Sequence, residues 1–505
     1  TIAVLPAGTY KVSGPITSSS YAAGSLHIRC VGDVTIQVDA SSTAFSKLIS
    51  CYSTAINSST ITGGRLTLEL ANLCANGIYL RHSGTDGGPV NWGPVAVNNA
   101  KNNTAVAEEN QALLVYGRYT SVKLDHPIVD GVDRVQNPDG GCKGISISEV
   151  VGQVTITSPD VARVMAGPGA SQDADGIAVF GYDTAGNPAL YAKRRGSLQI
   201  TNPVITDCQG RSIKTQISES LIVNPRIYRQ GVVAFATADI DHQIGGVHTI
   251  TDPTFNWRKD GATSPVPIGF YPISLQARCS DSENRFTVRG GTIQSAVSVV
   301  RAVFVTIGAT ALDNSVSVEG MEAIAVDGLA TALYSSGFVE FYGNQAESAV
   351  GNTHFRLHGN RMAQGGGALL AMSGNTIANA SKLSVDLVGN VNTGADDSAN
   401  KVLAQLSGTV VTQMRSLLTR DNTGFTDYRG TWVFDTQTLP VGTKFTYDRA
   451  SSTVTNGPVI AAGTYVDVEC LGAMTATTRK VRMTVDEAGT MNEHYTQTGA
   501  WGVIK

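Results

Sequence analysis

Hydrophobic and polar residues alternate in short runs along most of this chain, and the runs are punctuated by glycine, proline and asparagine. One pattern recurs: an apolar residue, any residue, a turn-forming residue, Gly or Pro, then alternating apolar residues. It reads ITGGRL from Ile61, LDHPIV from Leu124, ITSPDV from Ile156, ITNPVI from Ile200, IVNPRI from Ile222 and ITDPTF from Ile250. VRGGTI from Val288, VEGMEA from Val318, LHGNRM from Leu357 and LVGNVN from Leu387 are weaker copies. The interval varies from 22 residues (200 to 222) to 44 (156 to 200). Helical solenoids hold a steadier period and carry 3.6-residue patterning, which is missing here. Short β-branched strands between turns fit stacked coils whose loops differ in length.

A second strand opens on glycine and alternates: GIYLR from Gly77, GISIS from Gly144, GIAVF from Gly176 and GRSIK from Gly210. In the first three, the residues one and three after glycine are apolar and are expected to face inward. Arg211 breaks that pattern in the fourth, which predicts a bend there. The fold expected is all-β, a right-handed single-stranded parallel β-helix, with a two-layer sandwich or barrel as the alternative. Residues 1–395 are expected to form the β-helix. Residues 396–423 read as a linker or short helix, through GNVNTGADDSAN and the spaced apolar residues of 401–418, which also fit a strand pair. Residues 424–505 read as a small C-terminal β domain.

Composition narrows the possibilities. The chain has 505 residues, 42% hydrophobic and only 15% charged, which excludes a disordered polymer. With a net charge of −4 there is no basic field for nucleic acid. No apolar run reaches transmembrane length, so membrane insertion is not expected. Seven cysteines are scattered singly, without metal spacing, and read as buried apolar residues of a protein made in a reducing compartment. No cofactor or metal is expected. Thr1 opens directly on strand-like sequence, and the chain is expected to continue a longer one.

A β-helix entered through LPAGTYKVSG, followed by ITGGRL-type coils and a distinct C-terminal β domain, resembles bacteriophage tailspikes and capsular polysaccharide depolymerases. These lie within the pectin-lyase-like β-helix superfamily. The resemblance implies a homotrimer, joined to the virion tail through an N-terminal part, that binds and endo-cleaves a capsule or O-antigen polysaccharide at the bacterial surface. A non-catalytic carbohydrate-binding adhesin and a secreted pectinase-like enzyme are the competing classes.

The site is expected within residues 163–241. Aligning Gly176, Gly210 and Gly231 puts Phe180, Lys214 and Phe235 in one row, and Tyr182, Gln216 and Thr237 in the next. Aligning the upstream turns stacks Arg163, Asp207 and Arg229. Aromatic faces suit sugar C–H surfaces, amides suit hydroxyls, and Arg pairs bidentately with carboxylates. The Arg–Asp–Arg row also reads as a structural salt-bridge ladder. For hydrolysis, Asp175 with Asp207 or Glu219 with Asp239 supply two carboxylates at suitable coil spacing. For β-elimination from an acidic sugar, Lys214 serves as base, with Arg229 or Arg211 stabilising the developing charge. Lys193, Arg194, Arg195 and Arg226 add to this basic cluster, which suits an acidic polymer.

Overall fold

The computed structural model describes residues 2–18, 24–54, 56–84, 86–101, 110–134, 141–167, 174–183, 194–230, 234, 238–258, 266, 270–277, 283–307, 313–326, 329, 334–342, 352–363, 367–373, 383–393, 403–406, 416–425, 429–430, 433–435, 444–448, 453–455, 465–473, 479–485, 491–495 and 501–504. The described secondary structure is all β, and the stacked parallel strands form a right-handed parallel β-helix. Two compact units divide it: residues 1–274 with 293–297, and residues 275–292 with 298–505.

In the first unit, one sheet takes a single strand from each coil. Phe45–Ser53, Cys74–His82, Asn110–Tyr116, Cys142–Val150, Ala174–Gly181, Ile213–Gln216 and Ala238–His242 pair in chain order, all parallel. Strand pairs joined at a sharp corner make the second ladder: Tyr119–Asp125 with Ile128–Asp133, Gln153–Thr157 with Asp160–Met165, Ser197–Thr201 with Val204–Thr206, and Glu219–Val223 with Arg226–Arg229. The recurring motif of the sequence is this corner. Its third residue sits at positive φ in every copy: His126 (51°), Ser158 (48°), Asn202 (52°), Asn224 (51°) and Asp252 (50°). The ladder of hydrogen bonds continues through it, with Ser158 N donating to Thr201 O at 2.7 Å and Asn202 N to Val223 O at 2.8 Å. Small polar residues and glycine tolerate this left-handed conformation where β-branched residues do not.

The first residue of the motif points inward and builds the core. Ile61, Trp92, Leu124, Ile156, Ile200, Ile222 and Ile250 stack in register, each at most 1% exposed. Burying each such side chain contributes about 1.5–3 kcal/mol, so the stack is a principal source of cohesion. The neighbouring stack changes character along its length. Val90, Val122, Val154 and Leu198 give way to Ser220 and then His248.

In the second unit the corner is held by glycine: Gly290, Gly320, Gly359 and Gly389 lie at φ 62–66°. Asn360, Asn390 and Asn422 form a buried ladder just beyond it. Asn390 Nδ2 donates to Leu357 O at 2.8 Å and to Asn422 Oδ1 at 2.9 Å, while its Oδ1 accepts from Asn360 N at 3.0 Å. The described residues of the stretch expected as a linker, short helix or strand pair lie mainly in strands. Ala404–Leu406 pairs with Ala368–Ser373, and Ser416–Arg420 with Leu383–Val388, both parallel. Lateral pairing to an existing strand edge satisfies the backbone of these residues at once. Beyond residue 444 five strands form an antiparallel sheet, Lys444–Asp448, Tyr465–Ala473, Arg479–Val485, Met491–Tyr495 and Trp501–Ile504, while Thr453–Thr455 pairs in parallel with Val433–Asp435.

Candidate functional site

Along the single-strand sheet of the first unit, alternate residues leave the core and form rows across successive coils. Inward positions are aliphatic and buried: Ile78 and Leu80, Leu113 and Val115, Ile145 and Ile147, Ile177 and Val179. Outward, one row runs Tyr79, Leu114, Ser146, Ala178, Lys214, and the next runs Tyr52, Arg81, Tyr116, Ser148, Phe180, Gln216. Between these rows lies a cleft of about 370 Å³, lined by Tyr79, Arg81, Tyr116, Lys143 and Phe180 together with Gln111, Leu114, Ser146 and Ser148.

Cations and rings alternate here. The Arg81 guanidinium carbon lies 5.7 Å from the Tyr52 ring centroid and 5.0 Å from that of Tyr116. Lys47 Nζ is 4.0 Å from the Tyr79 centroid, and Lys214 Nζ is 5.6 Å from that of Phe180. Each contact contributes on the order of 0.5–1 kcal/mol at an exposed site and holds a long, flexible side chain in place. The rings therefore orient cations, a role beside the sugar stacking expected from the sequence.

Four coil steps along the row the face becomes ionic. Asp175 is fully buried; its Oδ1 accepts from the Arg211 backbone N–H at 3.0 Å and lies 3.5 Å from Arg211 Nη1. Lys214 Nζ stands 3.9 Å from Asp175 Oδ2. Arg211 Nε reaches Asp241 Oδ2 at 2.8 Å, and Gln243 Nε2 donates to the same oxygen at 2.7 Å. Gln216 Nε2 donates to Gln243 Oε1 at 2.7 Å. One guanidinium thus bridges two carboxylates from different coils, with an amine beside the first. Both carboxylates are fully buried; Lys214 is buried as well, at 8% exposure, and Arg211 is the more exposed of the two cations.

Register corrects several expectations. Phe180 lies beside Gln216 and Ala178 beside Lys214, two residues from the alignment on Gly210. Gly176 stands against Ser212, because Gly176 N and Ile177 N donate to Arg211 O and Ser212 O. Phe180 and Lys214 still meet, as diagonal neighbours. Tyr182 carries the Arg118 guanidinium over its ring at 4.6 Å and belongs to no row with Gln216. Phe235, with Thr237, Lys193 and Gly231, lies outside the described residues.

Arg163, Asp207 and Arg229 do not form a ladder. Arg163 and Asp207 sit at φ 56° and 51°, where the backbone turns the side chain outward, and Arg229 is not in that conformation. Arg163 instead grips Asp130 with two bonds of 2.7 Å, and Asp207 Oδ1 accepts from Gln230 N at 2.7 Å. Arg229 turns into the coil and is fully buried against Asp239, with Nη2 to Oδ1 at 2.6 Å. Asp239 also accepts from Ser212 Oγ at 2.7 Å and Trp257 Nε1 at 3.0 Å. Arg229 donates to Cys208 O and Gly210 O and lies over the Phe270 ring at 4.8 Å. Neither partner is accessible to a polymer, so Arg229 and Asp239 leave the catalytic candidates. Glu219 is exposed in the corner ladder and Asp207 lies at positive φ on a turn of it, whereas their expected partners Asp239 and Asp175 are fully buried.

The interior near these coils is unusually polar. His242 Nδ1 pairs with Thr215 Oγ1 at 2.7 Å, His248 Nδ1 with Ser220 Oγ at 2.8 Å, and the two rings lie 4.6 Å apart. Burial holds His248 down at about 4 and His242 well below the usual imidazole range. Burial likewise pushes the Cys74 and Cys208 thiols up to about 12, as suits packing residues rather than nucleophiles.

No family model, curated protein or solved structure matches this chain. What the site can do follows from its own residues. Tyr79, Arg81 and Lys143 were missed in the sequence, although the motif contained the signal. Two and four residues after glycine in GIYLR, GISIS and GIAVF stand Tyr79 and Arg81, Ser146 and Ser148, Ala178 and Phe180. Those outward positions border the cleft. It offers guanidinium, amine, amide, phenol and hydroxyl groups at strand spacing, the set that meets hydroxyls and carboxylates of a sugar chain.

Proposed function

We propose that this chain binds a bacterial surface polysaccharide along the outer face of its single-strand sheet and cleaves it internally. In this reading it is the body of a bacteriophage tailspike that acts as a depolymerase in three copies, attached to the virion tail through a part outside this sequence. The observation that carries the proposal is the cleft, whose polar and aromatic lining comes from consecutive coils in a repeated register. A β-helix is compatible with binding or degrading a polysaccharide.

The chemistry that these groups fit is β-elimination from an acidic sugar. A base removes the proton α to the carboxylate, the C–O bond to the next sugar breaks as a C=C bond forms, and the departing oxygen takes up a proton. Lys214 and Arg211 are both gathered around Asp175 and are less covered than it, which supports Arg211 as the charge-stabilising group and Lys214, once it has given up its proton, as the base. Hydrolysis by paired carboxylates is less suited, since Asp175, Asp239 and Asp241 are all buried.

Incubation with purified capsular and O-antigen polysaccharides tests this. Shortened chains whose new ends absorb in the ultraviolet as conjugated acids are the expected result. Shortened chains without that absorbance transfer the reaction to hydrolysis. Chains bound but left intact replace the enzyme with an adhesin, and no binding at all removes the proposal.

A further inference from the structure

Arg81 is set apart from the other cations of the face. Lys214 and Arg211 lie against Asp175, and Arg163 grips Asp130. Among the described residues no carboxylate contacts the Arg81 guanidinium, and its buried Nε has no hydrogen-bond partner. Its hydrogen bond to a neighbouring side chain is long, Nη1 to Tyr79 Oη at 3.4 Å. Tyr52 and Tyr116 occupy the same register position on the coils before and after it, so the guanidinium stands between two phenol rings. The two rings flank the guanidinium and restrict it, and a planar guanidinium is the fork that fits a carboxylate bidentately.

We infer that Arg81 is a receptor for a carboxylate borne by a sugar residue, at a subsite separate from the ionic cluster around Lys214. The inference rests on the polysaccharide reading above and names the substrate class. Two tyrosines pre-order the guanidinium, so little side-chain entropy is lost when the anion arrives. Lys143 also lines the cleft and adds a second positive charge. Arg81 and Gln216 are four coil steps apart in one row, about 19 Å at the ~4.8 Å strand spacing. A polymer held at both places must bridge that distance, so fragments too short to do so lose the contribution of one end.

The test is binding of the full chain to an array of bacterial capsular and O-antigen polysaccharides, each presented intact and after chemical reduction of its carboxyl groups. Bound polymers are expected to carry carboxylates and to lose about tenfold or more in affinity on reduction, the range of a charge-assisted bidentate contact. R81Q should lose a similar factor on intact polymer and nothing further on reduced polymer. R81K, which keeps the charge without the fork and guards against a folding defect in R81Q, should also weaken binding. R163Q, already neutralised by Asp130 and on another face, should bind as the parent does. Tight binding of a neutral polymer, or R81Q and R81K indistinguishable from the parent on an acidic one, overturns the receptor and leaves the polysaccharide reading in place. Failure to bind any polysaccharide removes both.

Discussion

Arg229 and Asp239 show what a charged pair does when the backbone directs it inward. Each is fully buried, and Asp239 receives Arg229, Ser212 and Trp257 together. Removing one member leaves the other charge buried without compensation. D239A is therefore expected to lose about 3–5 kcal/mol of stability, measured by denaturant unfolding. A loss below about 1 kcal/mol would mean that the guanidinium finds water or a new partner. The buried histidines set a pH dependence at the same scale. His248 sits at about 4 in the folded chain against its ordinary 6.5. The unfolded chain then binds more protons between these values, so the stabilisation is complete above pH 6.5 and is lost as pH falls toward 4. For His248 alone the loss is about 3 kcal/mol across that window. His242 shifts in the same direction and adds to it. Denaturant midpoints should fall between pH 7 and 5, before most carboxylates titrate; a flat profile there contradicts the neutral interior.

At the scale of the strand and corner, stability depends on a few backbone positions. Gly359 lies at φ 62°, and a Cβ placed there meets nothing within 4 Å. Gly359→Ala therefore isolates conformational strain from packing, and should cost about 1–2 kcal/mol in thermal or denaturant unfolding. Asn390→Ala removes two donated bonds and leaves the Asn360 N–H without its acceptor, for a loss of about 1–3 kcal/mol. These corners were the most legible part of the sequence. ITSP, ITNP, IVNP and ITDP announced a repeated turn because its third residue must tolerate a left-handed backbone and its first must fill the core. GIYLR and GISIS announced inward aliphatic pairs for the same reason. Register between coils was harder to read. Gly210 resembles Gly176 in its neighbours, yet Ser212 occupies the equivalent position, because loop length rather than glycine fixes where a strand enters the sheet. That two-residue slip moved Gln216 beside Phe180. Direction at turns was not legible either. Nothing local to RIYR distinguishes an outward Arg229 from one that ion-pairs inside the coil, since its partner Asp239 comes from the following coil.

For the whole molecule, affinity and cleavage are expected to separate along one face. If Lys214 acts in bond breaking, Lys214→Met should abolish shortening of a bound polymer by at least about a hundredfold while leaving binding at the Arg81 end intact. Viscosity of the polymer solution reports the first and the glycan array the second; equal loss of both would place Lys214 in binding alone. The proposed three-copy assembly is checked by sedimentation of the full chain, with a monomer at micromolar concentration contradicting it.

The alternation along Cys74–His82 and its neighbours carries one more consequence. Ile78 and Leu80 serve the interior while Tyr79 and Arg81 serve the cleft, and the strand pairing between coils is made by the backbone. The cleft is thereby lined from positions that core packing does not use. A new specificity can be installed by rewriting every second residue of a few rungs, with the stacked aliphatic column left untouched.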